Sequence, residues 1–247
     1  MPLSGITLAQ SGVVGNSQSG FMGGAQGGYN YQIADKYIVG AEADIQGANI
    51  RGVGNLVGAG YNVNSLNNGS ATSIGGVKVS SGVDWLGTAR GRVGYLWAPN
   101  LMVYATSGFS LGGVHTNVTN LAYSSYYDPT FVVPGTPPGV QPYFGSNSQN
   151  QTRIGWNAGA GSEWMVSDNW SVKAEALYWN LGNMNVATTA VAPAIGSAYW
   201  GADTSPRFTL PGQVVVGGAS INYQGIITRA GVNYHFNASS TPVVSKY

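Results

Sequence analysis

Residues 84–97 read DWLGTARGRVGYLW, and the stretch alternates between two kinds of residue along its length. Odd-numbered positions hold tryptophan, glycine, alanine, valine and tyrosine, whereas even-numbered positions include Asp84, Thr88, Arg90 and Arg92. A period of two places successive side chains on opposite faces of a β-strand. The stretch therefore predicts a strand with one charged face and one apolar face. The apolar face begins and ends with tryptophan.

The same alternation recurs in six further segments and predicts seven strands in all. The segments are 21–32, 37–46, 101–111, 152–164, 170–178 and 226–236. The predicted strands are about 10 to 16 residues long, against a usual five or six in globular proteins. Helical periodicity is hard to find, so the sequence predicts an all-β protein.

Charged side chains are scarce and favour one face of the predicted strands. Only 8% of the residues are charged, while 43% are hydrophobic. Ten charges lie on the polar faces of the strands: Glu42, Asp44, Asp84, Arg90, Arg92, Arg153, Glu163, Lys173, Glu175 and Arg229. A soluble sandwich would instead spread charge over a large solvated surface. Apolar faces rich in Ala, Gly and Val, with aromatics near their ends, are typical of lipid-facing strands. The sequence therefore predicts a transmembrane antiparallel up-and-down β-barrel whose charges face the lumen.

Composition argues against several other classes of function. A net charge of +1 provides no electrostatic footprint for nucleic acid, and a chain without cysteine has no disulfide framework and no Cys-ligated metal site. The glycine-spaced segments at Gly23 and Gly87 do not join a strand to a helix, as a nucleotide-binding loop would. No histidine pair stands at metal-ligand spacing on one strand, so no cofactor or metal is expected.

Short and long links alternate between the predicted strands. The short links lie at 33–36, 98–100 and 167–169 and contain turn-forming Asp, Asn and Pro. The long links lie at about 53–81, 115–150 and 184–221 and are rich in Gly, Asn, Ser, Thr and Pro. Outer-membrane barrels pair short periplasmic turns with longer extracellular loops. We therefore expect long loops that all emerge on one side.

Two sets of side chains have distinct predicted roles in such a wall. The aromatics near the strand ends are expected to lie at the membrane interfaces: Trp85, Trp97, Trp156, Trp164, Trp170 and Tyr178. The inward charges nearly balance, and eight strands enclose an interior just wide enough for side chains to fill it. One interpretation is an ion-pair network that plugs the lumen, since an unpaired buried charge is costly. The alternative is a narrow polar path for ions or small solutes.

The alternating segments resemble the OmpA-type small barrels, and more closely the alphaproteobacterial outer-membrane immunogenic (porin-like) family. The segments are GGAQGGYNYQ (23–32), VGAEADIQG (39–47), LGTARGRVGYLW (86–97), VYATSGFSLGG (103–113), GWNAGAGSEW (155–164), WSVKAEALYW (170–179) and ITRAGVNYHF (227–236). The resemblance implies an eight-stranded barrel in a Gram-negative outer membrane, surrounded by outer-membrane lipids. It also implies that Tyr234 and Phe236 form the C-terminal strand signal that the barrel-assembly machinery reads.

The first of the eight strands is atypical in this sequence. The seven alternating segments match the second to the eighth strands of the family, while residues 1–18 lack the Trp- and Tyr-rich pattern of the first. We expect residues 3–14 to form this strand; the alternatives are a truncated chain or an edge supplied by a neighbouring chain. The barrel then occupies 1–236 and is followed by a short tail at 237–247.

The expected function is structural: an outer-membrane barrel with a surface role and a largely filled lumen. The alternatives are a porin, meaning a small passive channel, and a surface protein that assembles by edge pairing. Aromatics in the long loops, such as Tyr123, Tyr143 and Trp200, are candidates for contacts with a second copy or neighbouring surface proteins. Catalysis is not expected, because His115 and Asp128 have no special context for general-base chemistry.

Overall fold

The computed structural model describes residues 17–64, 69–127, 139–191 and 214–236, and the regular structure in these ranges is entirely β-strand. The strands are β1 (Gln18–Ala34), β2 (Tyr37–Asn64), β3 (Gly69–Ala98), β4 (Leu101–Tyr127), β5 (Gly139–Met165), β6 (Trp170–Val191) and β7 (Val214–Tyr234). They form one antiparallel sheet in which each strand pairs with its neighbours in sequence. None of the described residues belongs to a helix long and apolar enough to cross a membrane. The predicted all-β, up-and-down architecture is confirmed.

The observed strand ends match the predicted ones at only one end of the sheet. The short turns, which define the lower end, lie where predicted, before Tyr37, Leu101 and Trp170. At the upper end, the long links predicted at 53–81, 115–150 and 184–221 are largely wrong, because the strands continue there. β2 and β3, for example, stay paired up to Asn64 and Gly69. Their polar composition gave these extensions the appearance of loops.

Two β-bulges reverse the alternation in the upper parts of β3 and β6. β3 has one extra residue between Val83 and Trp85, and β6 has one between Asn180 and Gly182. One extra residue moves the inward face from one parity to the other. On β3 the buried positions are accordingly even below the bulge, as at Arg90, and odd above it, as at Val83.

The sheet curves but is not closed by the described strands. In an antiparallel sheet of seven strands the first and last run in the same direction, so an antiparallel closure needs one more strand between β1 and β7. A space of about 640 Å³ lies between these two edges, and Gln26 Nε2 donates across it to Asn233 Oδ1 at 2.5 Å. This arrangement is consistent with a barrel of about eight strands. Residues 3–14, the predicted first strand, lie outside the described residues, as does the tail 237–247.

Above its bulge, β6 separates from β5 and approaches β4. The ladder between β5 and β6 extends up to the pair Trp156–Asn180 and resumes only at Phe144–Val191. Gly182 adopts a φ of 76°, a left-handed conformation that favours glycine. Side chains of β6 therefore meet those of β4 across the upper lumen.

Close contact between strands at Gly108 provides a test of the wall. A Cβ added to Gly108 would lie 2.0 Å from the carbonyl oxygen of Ala89, whereas one added to Gly91 would meet only the oxygen of Ser107, at 4.0 Å. We expect Gly108→Ala to lower the free energy of unfolding by about 1–3 kcal/mol, the usual cost of overpacking. The control Gly91→Ala should change it by less than about 0.5 kcal/mol. Urea unfolding in lipid vesicles, followed by tryptophan fluorescence, measures both; equal effects would contradict the observed strand contacts.

Candidate functional site

An ionic network fills the lower lumen, and Arg90 of β3 lies at its centre. Its Nη2 contacts Glu42 and donates to Oδ2 of Asp44 at 2.8 Å, while its Nη1 donates to Oε1 of Glu175 at 2.5 Å. Glu42 and Asp44 lie on the adjacent strand β2, whereas Glu175 lies on β6. One guanidinium therefore joins its neighbouring strand to the opposite wall.

Two further cations bind the same carboxylates from β6 and β7. Arg229 donates through Nη1 to Asp44 at 3.1 Å and through Nη2 to Glu175 at 2.8 Å. Lys173 Nζ donates to Oε1 of Glu42 at 2.8 Å. Each of these three carboxylates thus has at least two cationic partners.

Glu163 of β5 extends the network toward the short turns. Its Oε2 accepts a hydrogen bond from Arg92 at 2.7 Å, and its Oε1 accepts one from Ser171 at 2.5 Å. The Ser171 hydroxyl also lies 2.8 Å from Nε2 of His235, just beyond β7. Ser171 shares the inward parity of Lys173, but it carries no charge and was therefore not among the predicted lumen residues.

Neutral residues such as Tyr104 and Thr88 also bind to the network. Tyr104 donates to Oε2 of Glu175 at 2.8 Å, and the guanidinium of Arg92 lies 4.1 Å above the centre of its ring. Thr88 donates through Oγ1 to Asp44 at 2.7 Å. Both residues lie at the inward parity of their strands, so the period-two pattern could have identified them.

The network contains four acids and four bases. Its members are Glu42, Asp44, Glu163, Glu175, Arg90, Arg92, Lys173 and Arg229. Seven are buried, and the side chain of Arg229 is only 12% exposed. Because removing one partner of a buried ion pair leaves an uncompensated charge, these eight groups depend on one another.

The two other charges predicted to face the lumen lie elsewhere. Asp84 is the extra residue of the β3 bulge, which turns its side chain to the outside of the wall, where it is 49% exposed. Arg153 lies where β5 has lost β6 as a partner. It donates to the carbonyl oxygens of Leu181 at 3.3 Å and Asn183 at 2.7 Å, and it pairs with no carboxylate in the described part of the chain. Its guanidinium thus bonds backbone carbonyls where the ladder is interrupted.

An apolar layer, which was not predicted from the sequence, fills the lumen above the ionic network. Its buried side chains come from five strands: Ile50, Val79, Val83, Leu86, Val114, Val118, Trp179, Leu181, Met184, Val186, Ile221, Tyr223 and Ile227. Opposite walls touch within this layer, where the hydroxyl of Thr116 lies 3.6 Å from the sulfur of Met184. The inward residues of this layer alternate along each strand, but on β3 and β6 the bulges change which residues point inward.

The predicted interfacial aromatics lie on the outer face of the wall at two levels. At the lower end, Trp97, Trp164 and Trp170 are exposed beside the short turns. At the upper level, Trp156 and Tyr178 contact each other with ring centroids 5.2 Å apart. Along β5, residues 156 and 164 span roughly 26 Å at about 3.3 Å per residue, close to the height of an outer-membrane apolar band.

Trp85 belongs to the upper level and marks the top of the apolar band on β3. Its indole lies across Gly113 of β4, where an added Cβ would be 2.2 Å from Nε1. On β3 the apolar outer face thus extends from Trp85 to Trp97. The predicted terminal aromatics lie at the other end of the band, with Tyr234 and Phe236 exposed and their ring centroids 4.9 Å apart.

Aromatics assigned to the long loops have separate locations. Tyr123 lies on β4 and is exposed, whereas Tyr143 lies on β5 and is buried. Trp200 lies outside the described residues. The predicted contact role therefore does not extend to Tyr143, while it stays a prediction for Tyr123.

Asp84 forms a second charged cluster, on the outer wall directly above the apolar band. Its Oδ1 accepts a hydrogen bond from Arg51 at 2.9 Å, and its Oδ2 lies 3.0 Å from Nδ1 of His115. Partial burial raises the pKa of Asp84, but the hydrogen bond and charge of His115 and the charge of Arg51 outweigh this and lower it below its ordinary value. His115 thus has Asp84 as its acidic partner, while Asp128 lies outside the described residues.

Comparisons with known proteins agree with this geometry. The chain is 32% identical over 161 residues to the 31 kDa outer-membrane immunogenic proteins of Brucella melitensis biotype 1 and Brucella suis biovar 1. The match covers 65% of this chain and 54% of each relative, so the chain spans about half the length of these curated relatives. No protein-family model matches the chain, and no solved structure matches it. Neither relative carries the name of an enzyme.

The sequence similarity and the all-β sheet confirm the resemblance drawn from the alternating segments. The outward apolar band and the inward charges are those of a sheet that spans a lipid bilayer. The location of the short turns on the periplasmic side stays a prediction. The chain is therefore similar to the outer-membrane immunogenic proteins, and it is a protein of the bacterial outer membrane whose all-β sheet is consistent with a barrel of about eight strands.

Proposed function

We propose that the protein is a structural component of the outer-membrane surface and that its lumen does not conduct. The observation that carries this proposal is the filling of the lumen by two successive layers. The lower layer is the neutral ionic network around Arg90, and the upper layer consists of apolar side chains from five strands. We assign the protein no catalytic role.

The two layers oppose the passage of ions by different means. In the lower layer, every charge is already paired, so an entering ion must displace a bonded partner. In the upper layer, an ion would lose its hydration among mostly apolar side chains and would meet only a few neutral hydroxyl and amide groups, such as those of Thr116 and Asn120, which is costly. An ion that passed the first layer would therefore still meet the second.

Planar-bilayer recording tests the proposed closure. We expect no discrete current steps from the detergent-purified barrel at low or high salt, because both layers span the lumen. Protease protection of the strands would establish that the barrel has inserted. Discrete steps whose size rises with salt would contradict the proposal.

One observation favours a porin as the second candidate. The space of about 640 Å³ between β1 and β7 is polar on its inner side, where Glu42, Lys173 and Arg229 line it. A continuous path along this space would bypass the apolar layer. Current steps with an ion selectivity that changes in Lys173→Met would support this alternative.

Removing the central cation tests the dependence of the fold on the ionic network. We expect Arg90→Met to lower the free energy of unfolding by about 3–5 kcal/mol, because Glu42, Asp44 and Glu175 lose a shared partner in a buried site. Adding Glu175→Gln should recover part of this loss, since it removes the one negative charge left in excess. Urea unfolding in vesicles provides the measurement.

Lys78 provides the matched control for this series. It is an exposed cation on the upper part of β3, and Lys78→Met should change the free energy of unfolding by less than about 0.5 kcal/mol. Similar losses for Arg90→Met and Lys78→Met would show that overall charge, and not the network, determines stability.

A further inference from the structure

We propose that Arg51 and His115 form a binding site for the phosphate of an outer-leaflet lipid headgroup on the outer wall of the barrel. The site is distinct from the lumen, so the inference does not depend on whether the barrel conducts. It rests on the position of the two residues, on the donors they leave available and on the way the wall fixes them.

The position of the cluster is set by its buried neighbours. Arg51 follows the buried Ile50, and His115 lies between the buried Val114 and Thr116, so both side chains point away from the lumen. The Arg51 side chain is 46% exposed and that of His115 is 19% exposed. Leu111, the exposed residue four positions below His115 on β4, belongs to the apolar band. The cluster therefore lies at the height of the lipid headgroups on the extracellular side.

The cluster leaves hydrogen-bond donors unused. Arg51 Nη1 donates to the carbonyl oxygens of Ile50 at 3.0 Å and Val83 at 3.1 Å, and Nη2 donates to Asp84. A guanidinium has five N–H groups, so Nε and one Nη2 hydrogen have no partner among the described residues. Nε2 of His115 also has no partner among the described residues; because Nδ1–H points to the Asp84 carboxylate, Nε2 donates only when the imidazole carries both protons. These donors suit phosphate oxygens, which arginine binds in a forked geometry.

The wall holds the cluster in place before any ligand arrives. The side chains lie against Gly82, where an added Cβ would be 2.6 Å from Cε1 of His115 and 2.8 Å from Nη1 of Arg51. Arg51 is held by the carbonyls of Ile50 and Val83. Each of these residues borders an irregularity in strand pairing, one between Gly47 and Ile50 and one between Val83 and Trp85. The arginine is thus ordered by the backbone, and less side-chain entropy is lost when a ligand binds.

A lipid is the source of phosphate that best fits this location. Trp85, which lies beside Asp84 at the top of the apolar band, places an aromatic ring where acyl chains meet headgroups. A lipid whose acyl chains lie along the band beneath Trp85 would have its phosphate at the height of Arg51. Asp84 is the one anion of the cluster, and its charge opposes a phosphate at the same place.

Native mass spectrometry of the detergent-released barrel tests the site with defined probes. We expect more bound phosphatidic acid than phosphatidylcholine of the same acyl chains, because the monoester phosphate of phosphatidic acid leaves more oxygens accessible. Arg51→Gln should weaken phosphatidic acid binding about tenfold, as expected for the loss of a charge-assisted hydrogen bond. The control Lys78→Gln, which alters an exposed cation higher on β3, should leave binding unchanged.

Asp84→Asn separates binding from support of the wall. This variant removes the competing anion and should strengthen phosphatidic acid binding, whereas a purely structural cluster would be disturbed by Asp84→Asn and Arg51→Gln alike. Equal binding by wild type and Arg51→Gln, or weaker binding by Asp84→Asn, would overturn the proposal. Inorganic phosphate that displaced the lipid at equal concentration would overturn the assignment to a lipid.

Discussion

Arg90 is a cation buried among three carboxylates, and the rest of the barrel depends on that arrangement. A charge removed from water is tolerated only when its partners are close and correctly oriented. Glu42 and Asp44 come from β2 and Glu175 from β6, so the partners meet only when the sheet has curved far enough to bring these strands together. The network therefore favours curvature of the sheet as well as neutrality of the lumen. Lys173 and Arg229 likewise reach their carboxylate partners only when β6 and β7 curve toward β2.

The apolar layer imposes a second and different requirement. Ion pairs need precise partners, whereas apolar side chains need only contact and exclusion of water. The bulges on β3 and β6 lie between the two layers and change which residues face inward. Below them the wall presents Arg90 and Glu175 to the lumen, and above them it presents Val83 and Met184. One sheet can thus enclose an ionic layer and an apolar layer, one above the other.

Sequence periodicity could predict the membrane-spanning part of the fold because inward and outward residues alternate there without interruption. Between Trp85 and Trp97, the outward residues are apolar and the inward residues include Thr88, Arg90 and Arg92 of the network, so the two parities differ sharply. On β3 and β6, a single extra residue reverses the parity while the hydrogen-bond ladder continues. The upper parts of the other strands keep their parity, but their polar composition is typical of loops. Asp84 shows the consequence: the pattern that placed Arg90 in the lumen placed Asp84 there too, although Asp84 is the extra residue of the bulge and faces outward. Arg153 lies at an inward position of β5, as predicted from its parity. The separation of β6 from β5 at this level could not be predicted from sequence periodicity.

The β3 bulge also links the interior to the outer surface. An uninterrupted β3 would keep even positions inward, so Asp84 and Gly82 would face the apolar layer, and Val83 would face lipid. The extra residue exchanges these positions: Val83 enters the lumen, and Asp84 meets Arg51 and His115 outside. Gly82 then lies under the cluster and allows both side chains to approach the backbone. The same residue insertion that excludes charge from the upper lumen therefore creates the charged cluster at the headgroup level. A search for lipid contacts on related barrels should begin where a bulge reverses the parity just above the apolar band.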